Sequence, residues 1–286
     1  MQRYFNSMTY EFFLKLAPKK HQLLSELIEK GLAYHLPSKQ SSDFPTMLDI
    51  GAGEGSLSPY VLNCFGDYCH KEFNTENSQA ILLEPDALMR ERLKKALTSY
   101  KDRYYLPEYR ILDCKFEDML TSKYIKNHYL FILASHVFYY FDNWQSILAK
   151  LLELLEPDGV LCVVLKSKKT NLYRLRNSLP WPQEAEIFLK EPMFSEDFNE
   201  ILKSFSNLGS VTQEINYTFK LPPQTCCHPL GGMLENLFSF CYGIPTTFFN
   251  RDIRGHLDSF VQGNLDENGH LGLEYKEKIF WLKLSN

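Results

Sequence analysis

Three glycines, two carboxylates and one histidine are the residues of this chain whose types and spacing could do chemistry. Residues 48–56 read LDIGAGEGS, an apolar run followed by a turn that holds Gly51, Gly53 and Gly55. Glycine is needed in such a turn because the chain must bend sharply and admit a ligand to its backbone, where a Cβ would obstruct it. The helix expected from about Leu57 then opens with unpaired N–H groups beside that ligand. Asp49 precedes the glycines, and an acidic group there suits a ligand bearing an amino group and a sulfonium better than a pyrophosphate. The chain has no GxxxxGK[ST] pattern, which argues against a P-loop.

Glu84 ends a second apolar run, ILLEP. A carboxylate at the end of a second strand can accept from both hydroxyls of a ribose. It follows Gly53 by about 30 residues, more than the ~20 of the dinucleotide fingerprint, and a polar connection accounts for the excess. Past a third run, Asp113 or Glu117 could accept from an adenine amino group and Phe116 could stack on the ring. Each competes with an ordinary loop role. His136 follows a fourth run, YLFILAS. Its ordinary pKa of ~6.5 suits it to take a proton at neutral pH or to bind an acceptor, and a hydrogen-bonded structural histidine is the competing reading. Tyr139 and Tyr140 are candidate walls of an acceptor pocket, with one of them expected in the core.

These residues need a sheet to position them. Apolar runs at 47–50, 79–83, 109–112, 129–134 and 160–165 alternate with helical patterns at 57–65, 87–100 and 144–155, which favours a parallel α/β sheet. Leu88, Leu93 and Leu97 are expected to point inward, residues 66–78 to form an exposed connection, and Pro157-Asp158-Gly159 to form a turn. Further on come a short helix at 172–177, a helix capped by Ser195 and running to about Asn207, and strands at 210–221 and 275–284. Helices at 233–241 and 251–261 lie between those strands, within an insertion of about 222–270. Residues 3–35 read as two amphipathic helical segments, interrupted at Pro18 and stopped at Gly31. The domain reading is therefore an N-terminal helical lid over 1–40 and an α/β domain over 41–286. An aromatic-rich lid would exclude water from a reacting centre.

Composition narrows the function classes. A net charge of -4 offers no basic footprint for nucleic acid. Seven cysteines with no CxxC pair argue against a disulfide framework and for a reducing compartment. Cys226-Cys227-His228 is poorly spaced for tetrahedral chelation, so no metal is expected. The chain shows no signal-peptide pattern and no apolar run of membrane-spanning length. A cytoplasmic protein acting on a small molecule, with neither nucleic-acid nor membrane partner, is the expectation.

LDIGAGEGS, ILLEP, ILDCKFED and FILASHVFYYF…LLEPDGVLCVV together resemble the class I, Rossmann-like S-adenosylmethionine-dependent methyltransferases over most of residues 46–220. The resemblance implies a doubly wound sheet of about seven strands with the last antiparallel, and S-adenosyl-L-methionine as cofactor. It places Gly51 and Gly53 at the methionine end, Glu84 on the ribose, and Phe116, Glu117 and Asp118 toward the adenine. Ser135 and His136 would flank the sulfonium. Within the superfamily the chain is most similar to the histamine N-methyltransferases, in its N-terminal helical segment, its paired Tyr139-Tyr140 and its late helical insertion.

Two departures imply a changed acceptor pocket. Lys20 stands near where that family places an amine-binding glutamate, and a lysine there would repel a cationic acceptor. His136 stands where the family has a pocket glutamine. Acceptor candidates are thus Tyr4, Lys20, His136, Tyr139 and Tyr140, with methyl transfer to a nitrogen or oxygen of a small molecule. A protein methyltransferase and a non-catalytic S-adenosylmethionine-binding module stay open. An NAD-dependent oxidoreductase is disfavoured by the G-x-G-x-G spacing and the late carboxylate.

Overall fold

A computed structural model describes residues 18–37, 44–100, 105–121, 128–189, 192–223 and 233–285. Its centre is β4 (Tyr129–Ser135), whose residues from Tyr129 to Ala134 are all buried, as a strand covered on both faces requires. On one side β4 pairs in parallel with β1 (Thr46–Ile50), which pairs with β2 (Gln79–Leu83), and that with β3 (Glu108–Leu112). On the other side it pairs in parallel with β5 (Leu155–Lys166). With β6 (Leu208–Leu221) and β7 (Leu271–Leu284) the order is β3-β2-β1-β4-β5-β7-β6. The sheet is a seven-stranded, Rossmann-like mixed sheet with the last strand antiparallel, as expected. Strand order reverses between β1 and β4, and in open α/β sheets the crevice outside the carboxyl ends at such a point is where ligands bind.

The chain divides into two units. The larger comprises His21–Leu165, Met193–Glu214 and Lys278–Asn286. One face of its sheet packs Ile132, Ala134 and Phe280 with Phe138 and Phe198. On the opposite face Phe131 stacks on Phe65 and on Trp281. Helix α1 (Pro18–His35) does not stop at Gly31 as expected. A Cβ on Gly31 would lie 1.9 Å from Cζ2 of Trp281, so this glycine lets the helix press against the indole instead of ending it.

Other boundaries also moved for identifiable reasons. Helix α2 (Ser58–Phe73) runs on through what was expected to be an exposed connection. Its second half looks polar, but Leu62, Phe65, Gly66 and Cys69 continue one buried stripe at helical spacing. On α3 (Ala87–Thr98) Leu93 and Leu97 are buried while Leu88 is exposed, contrary to expectation. Leu88 precedes Leu97 by two and a half turns, which puts it on the opposite face. Helix α5 (Trp144–Glu153) ends where β5 begins at Leu155. The Pro157-Asp158-Gly159 signal is a bulge inside β5: the register jumps between Tyr129↔Leu155 and Phe131↔Val160, with Asp158 at φ 68°. Helix α8 (Ser195–Leu202) is shorter than expected, and its cap is Phe194, whose N–H donates to Asp197. The last two strands start earlier than expected, at Leu208 and Leu271. Between α5 and α8 lie α6 (Asn171–Ser178) and the short α7 (Glu186–Leu189).

The smaller unit comprises Met1–Lys20, Lys166–Pro192 and Ile215–Glu277. It has its own apolar core, in which α9 (Met233–Tyr242) and α10 (Arg251–Gly263) pack Leu237, Phe238, Ile253 and Leu257 with Phe219 and Leu273. Lys20 is buried in this unit, its Nζ 2.7 Å from Oε1 of Glu277 and 3.3 Å from the Tyr275 hydroxyl. Tyr4, most of the first helical segment and Cys226-Cys227-His228 lie outside the described residues. Among those described, no helix is long and apolar enough to cross a membrane.

Candidate functional site

The carboxyl ends of β1, β2 and β4 converge, as the strand order requires. After Ile50 the backbone enters the left-handed region at Gly51 (φ 70°), Gly53 (φ 61°) and Gly55 (φ 82°). Gly51 passes close to the segment after β4, where its Cβ would meet Cγ2 of Val137 at 3.1 Å. Gly55 faces α3, with Leu93 and Ala96 about as near. Gly53 differs: among the described residues the nearest atom to a Cβ there is the Gly51 carbonyl oxygen, 4.0 Å away. Among the described residues the space over Gly53 is open, a cradle that a side chain would fill.

The turn is locked to the β2–α3 connection. Ala52 N–H donates to Leu83 O at 2.9 Å, and Gly53 N–H donates to Glu84 Oε2 at 2.8 Å. The other carboxylate oxygen of Glu84 accepts from Asp86 N–H at 2.8 Å. Arg92 reaches Glu54 at 3.2 Å. Glu84 is buried, and that burial raises its pKa, while the hydrogen bonds from Asp86 and Gly53 pull it back. A carboxylate has about four lone-pair directions. Two are used by backbone donors, and the remainder suit a diol.

Asp49 is buried at 2 % exposure, and its Oδ2 accepts from Ser58 Oγ at 2.6 Å. The bond ties the end of β1 to the first turn of α2 and holds both ends of the glycine segment. Burial pushes the Asp49 carboxyl up to about 7, against the Ser58 hydrogen bond, with the nearby Glu84 charge adding to the rise. A carboxyl so placed gains from any cation brought near it. Sequence reasoning missed Ser58. Its signal was a hydroxyl nine residues after an acidic strand residue, and only folding pairs the two.

At the end of β4, Ser135 is half-buried and in register with Val164. His136 N–H donates to Val164 O at 3.0 Å, and the residue adopts φ 56°. Few non-glycine residues accept that conformation, and such outliers gather at active sites. Its Nδ1 lies 3.0 Å from the Tyr139 hydroxyl, with the rings stacked. Tyr139 packs partly against the core and Tyr140 is exposed. Of the adenine candidates, Phe116 opens α4 (Phe116–Leu120) as a buried ring against Phe141. Glu117 is exposed on the same turn, and Asp113 gives both oxygens to Arg90. The structure thus bonds Gly53 directly to Glu84, ties Asp49 to Ser58 beside the same turn, and sets Val137, next to His136, against Gly51. Lys20 belongs to the smaller unit, where Glu277 offsets its charge.

The open cradle over Gly53, the half-used carboxylate of Glu84 and the cation-favouring Asp49 fit the diol and cationic groups of S-adenosylmethionine. No curated protein matches the chain. Solved structures do. A provisionally named methyltransferase from Bacillus halodurans C-125 aligns with a TM-score of 0.54 at 9% identity, covering 91% of this chain and 99% of that one. The YcgJ protein of Bacillus subtilis aligns at 0.53 and 15% identity, covering 92% and 98%. The plantazolicin methyltransferase BpumL, in complex with a triazolic desmethylPZN analog and SAH, aligns at 0.51 and 13% identity, covering 98% and 91%. At these identities the likeness shows the fold. The family rests on a separate match, of a family model described as "Methyltransferase domain" to residues 13–205, well over half of the chain. The chain belongs to that methyltransferase-domain family, as a class I S-adenosylmethionine-dependent methyltransferase.

Proposed function

We propose that this methyltransferase modifies a nitrogen or oxygen of a small molecule, in the manner of the histamine N-methyltransferases but with a changed acceptor pocket. The observation that carries the cofactor half is the Glu84 carboxylate, oriented by two backbone N–H groups beside the open cradle at Gly53. In this reading Glu84 takes the ribose hydroxyls, Gly51 and Gly53 admit the methionine end, and Asp49 answers its positive charge. Ser135 borders the sulfonium, and Phe116 and Glu117 lie toward the adenine. When bound, the sulfonium supplies an electrophilic methyl on a good leaving group, so the protein mainly supplies alignment.

His136 carries the acceptor half. Tyr139 engages Nδ1 at 3.0 Å, which directs the ring's chemistry with an acceptor to Nε2. In the tautomer this role needs, Nδ1–H donates to the Tyr139 oxygen and Nε2 can receive the proton that a hydroxyl or ring N–H must shed. Tyr139 and Tyr140 form the pocket wall. Glu277 offsets the Lys20 charge, so Lys20 does not by itself bar a cationic amine.

Calorimetric titration with S-adenosylhomocysteine, with NAD as control, tests the cofactor half. Micromolar binding of the former alone is expected, followed by turnover in a screen of amines, imidazoles and phenols. Turnover with peptides only would favour a protein methyltransferase. Cofactor binding with no acceptor at all would favour a non-catalytic module.

A further inference from the structure

Glu84 is held at every polar atom. Its N–H donates to Leu112 O at 3.1 Å, its two carboxylate oxygens accept from Gly53 and Asp86, and its carbonyl accepts from Arg90 Nη1 at 2.9 Å. The same Nη1 donates to Pro85 O at 2.7 Å. The guanidinium also pairs with Asp113: Nη2 donates to Oδ2 at 2.7 Å, and Nη1 lies 2.6 Å from Oδ1 within the same ion pair. β3 ends at Leu112 and β2 at Leu83, so beyond them the ladder no longer supplies donors to the Glu84 and Pro85 carbonyls. Arg90 supplies them from the first turn of α3. Its planar fork spans several acceptors at once, which a lysine ammonium cannot do with fixed geometry. The side chain is mostly buried while Asp113 is exposed, so the clip faces inward on Glu84 and outward on its anchor.

We infer that Arg90 is a positioning residue for cofactor recognition: it clips the ends of β2 and β3 together and so sets the direction of the Glu84 carboxylate toward the ribose diol. The inference rests on the proposed role of Glu84. It adds a residue that touches no ligand and acts only through that carboxylate. It also assigns Asp113 to anchoring Arg90 instead of to the adenine.

The role makes a selective demand. If Arg90 works through Glu84, losing it must weaken ligands with a ribose diol and spare one without. Titration of wild type, Arg90→Ala, Arg90→Lys, Asp113→Asn and Glu84→Gln with S-adenosylhomocysteine and with its 2′,3′-dideoxy analogue reads this directly. Arg90→Ala is expected to weaken S-adenosylhomocysteine about 10-fold, the scale of a lost charged hydrogen bond, and the dideoxy analogue less than about 2-fold. Arg90→Lys should restore little. In a Glu84→Gln background Arg90→Ala should add no further loss. Equal weakening of both ligands, or no weakening of either, overturns the inference. If Arg90→Ala does not fold, Asp113→Asn decides, since that exposed residue tolerates change: a smaller, diol-selective loss supports the clip and none overturns it. Unchanged S-adenosylhomocysteine binding by Glu84→Gln would instead sink the ribose role of Glu84 itself, and the inference with it.

Discussion

The ends of β1 and β4 lie side by side and are built on opposite plans. At β1 the glycine turn is secured largely by backbone groups and buried partners: Ala52 on Leu83, Gly53 on Glu84, and Asp49 on Ser58. At β4 the candidate residue His136 sits in a conformation few side chains accept, and a side-chain bond to Tyr139 engages its ring. A site that must present the same adenosyl group in any related enzyme can be made of backbone. A site that must suit one acceptor is made of side chains, because side chains can change without rebuilding the sheet. In the function proposed above, the β1 end serves recognition and the β4 end specificity and chemistry.

Gly53→Val is the most severe way to break this comparison. It places a β-branched residue at φ 61°, which costs on the order of 1–3 kcal/mol, and fills the open cradle. S-adenosylhomocysteine binding should fall by roughly 100-fold or more, taking turnover with it. Calorimetry that found affinity intact would show that the cradle is not the cofactor site. His136→Ala should separate the two plans. Turnover is expected to drop by about 10²–10⁴-fold, the usual contribution of a positioned base, while cofactor affinity stays within a few-fold. Unchanged turnover would remove His136 from the chemistry and leave its strain without a functional reason.

The β1 end also carries a pH dependence, which Glu84 at the end of β2 shares. The Asp49 carboxyl rises from 3.8 to about 7 on folding. Between those values the native state holds a proton that the unfolded chain has released. Its contribution to stability is therefore full below pH 3.8 and is lost as pH rises through about 7. The loss is on the order of 1–4 kcal/mol. Thermal melts across this range should show the decline, and Asp49→Asn should flatten it except for the share that buried Glu84, shifted in the same direction, contributes. An equally steep decline in Asp49→Asn would place the titrating group elsewhere.

The two ends also differ in how far sequence reasoning reached them. The glycine turn, ILLEP and the five parallel strands were legible because their signals are local: apolar runs, turn residues and short spacings that set backbone conformation directly. The second half of α2 was not, since its polar surface hides a buried stripe. Leu88 was misread because an apolar residue shows which face it occupies only once the helix is placed. Gly31 was taken as a stop because nothing nearby in the chain announces the Trp281 indole that needs its missing side chain.

At the candidate site the division falls between residue types and their partners. Chain order alone determined which residues could hold an adenosyl ligand, because a strand, a glycine turn and a second strand ending in a carboxylate are contiguous patterns. Tertiary structure alone decided that Glu84 would be gripped by Gly53 and clipped by Arg90, that Asp49 would be buried on Ser58, and that Lys20 would meet Glu277. It also decided that His136 would take a left-handed backbone beside Tyr139. Local spacing fixes backbone shape, but partners far apart in the chain are chosen only when the sheet sets the order of its strands.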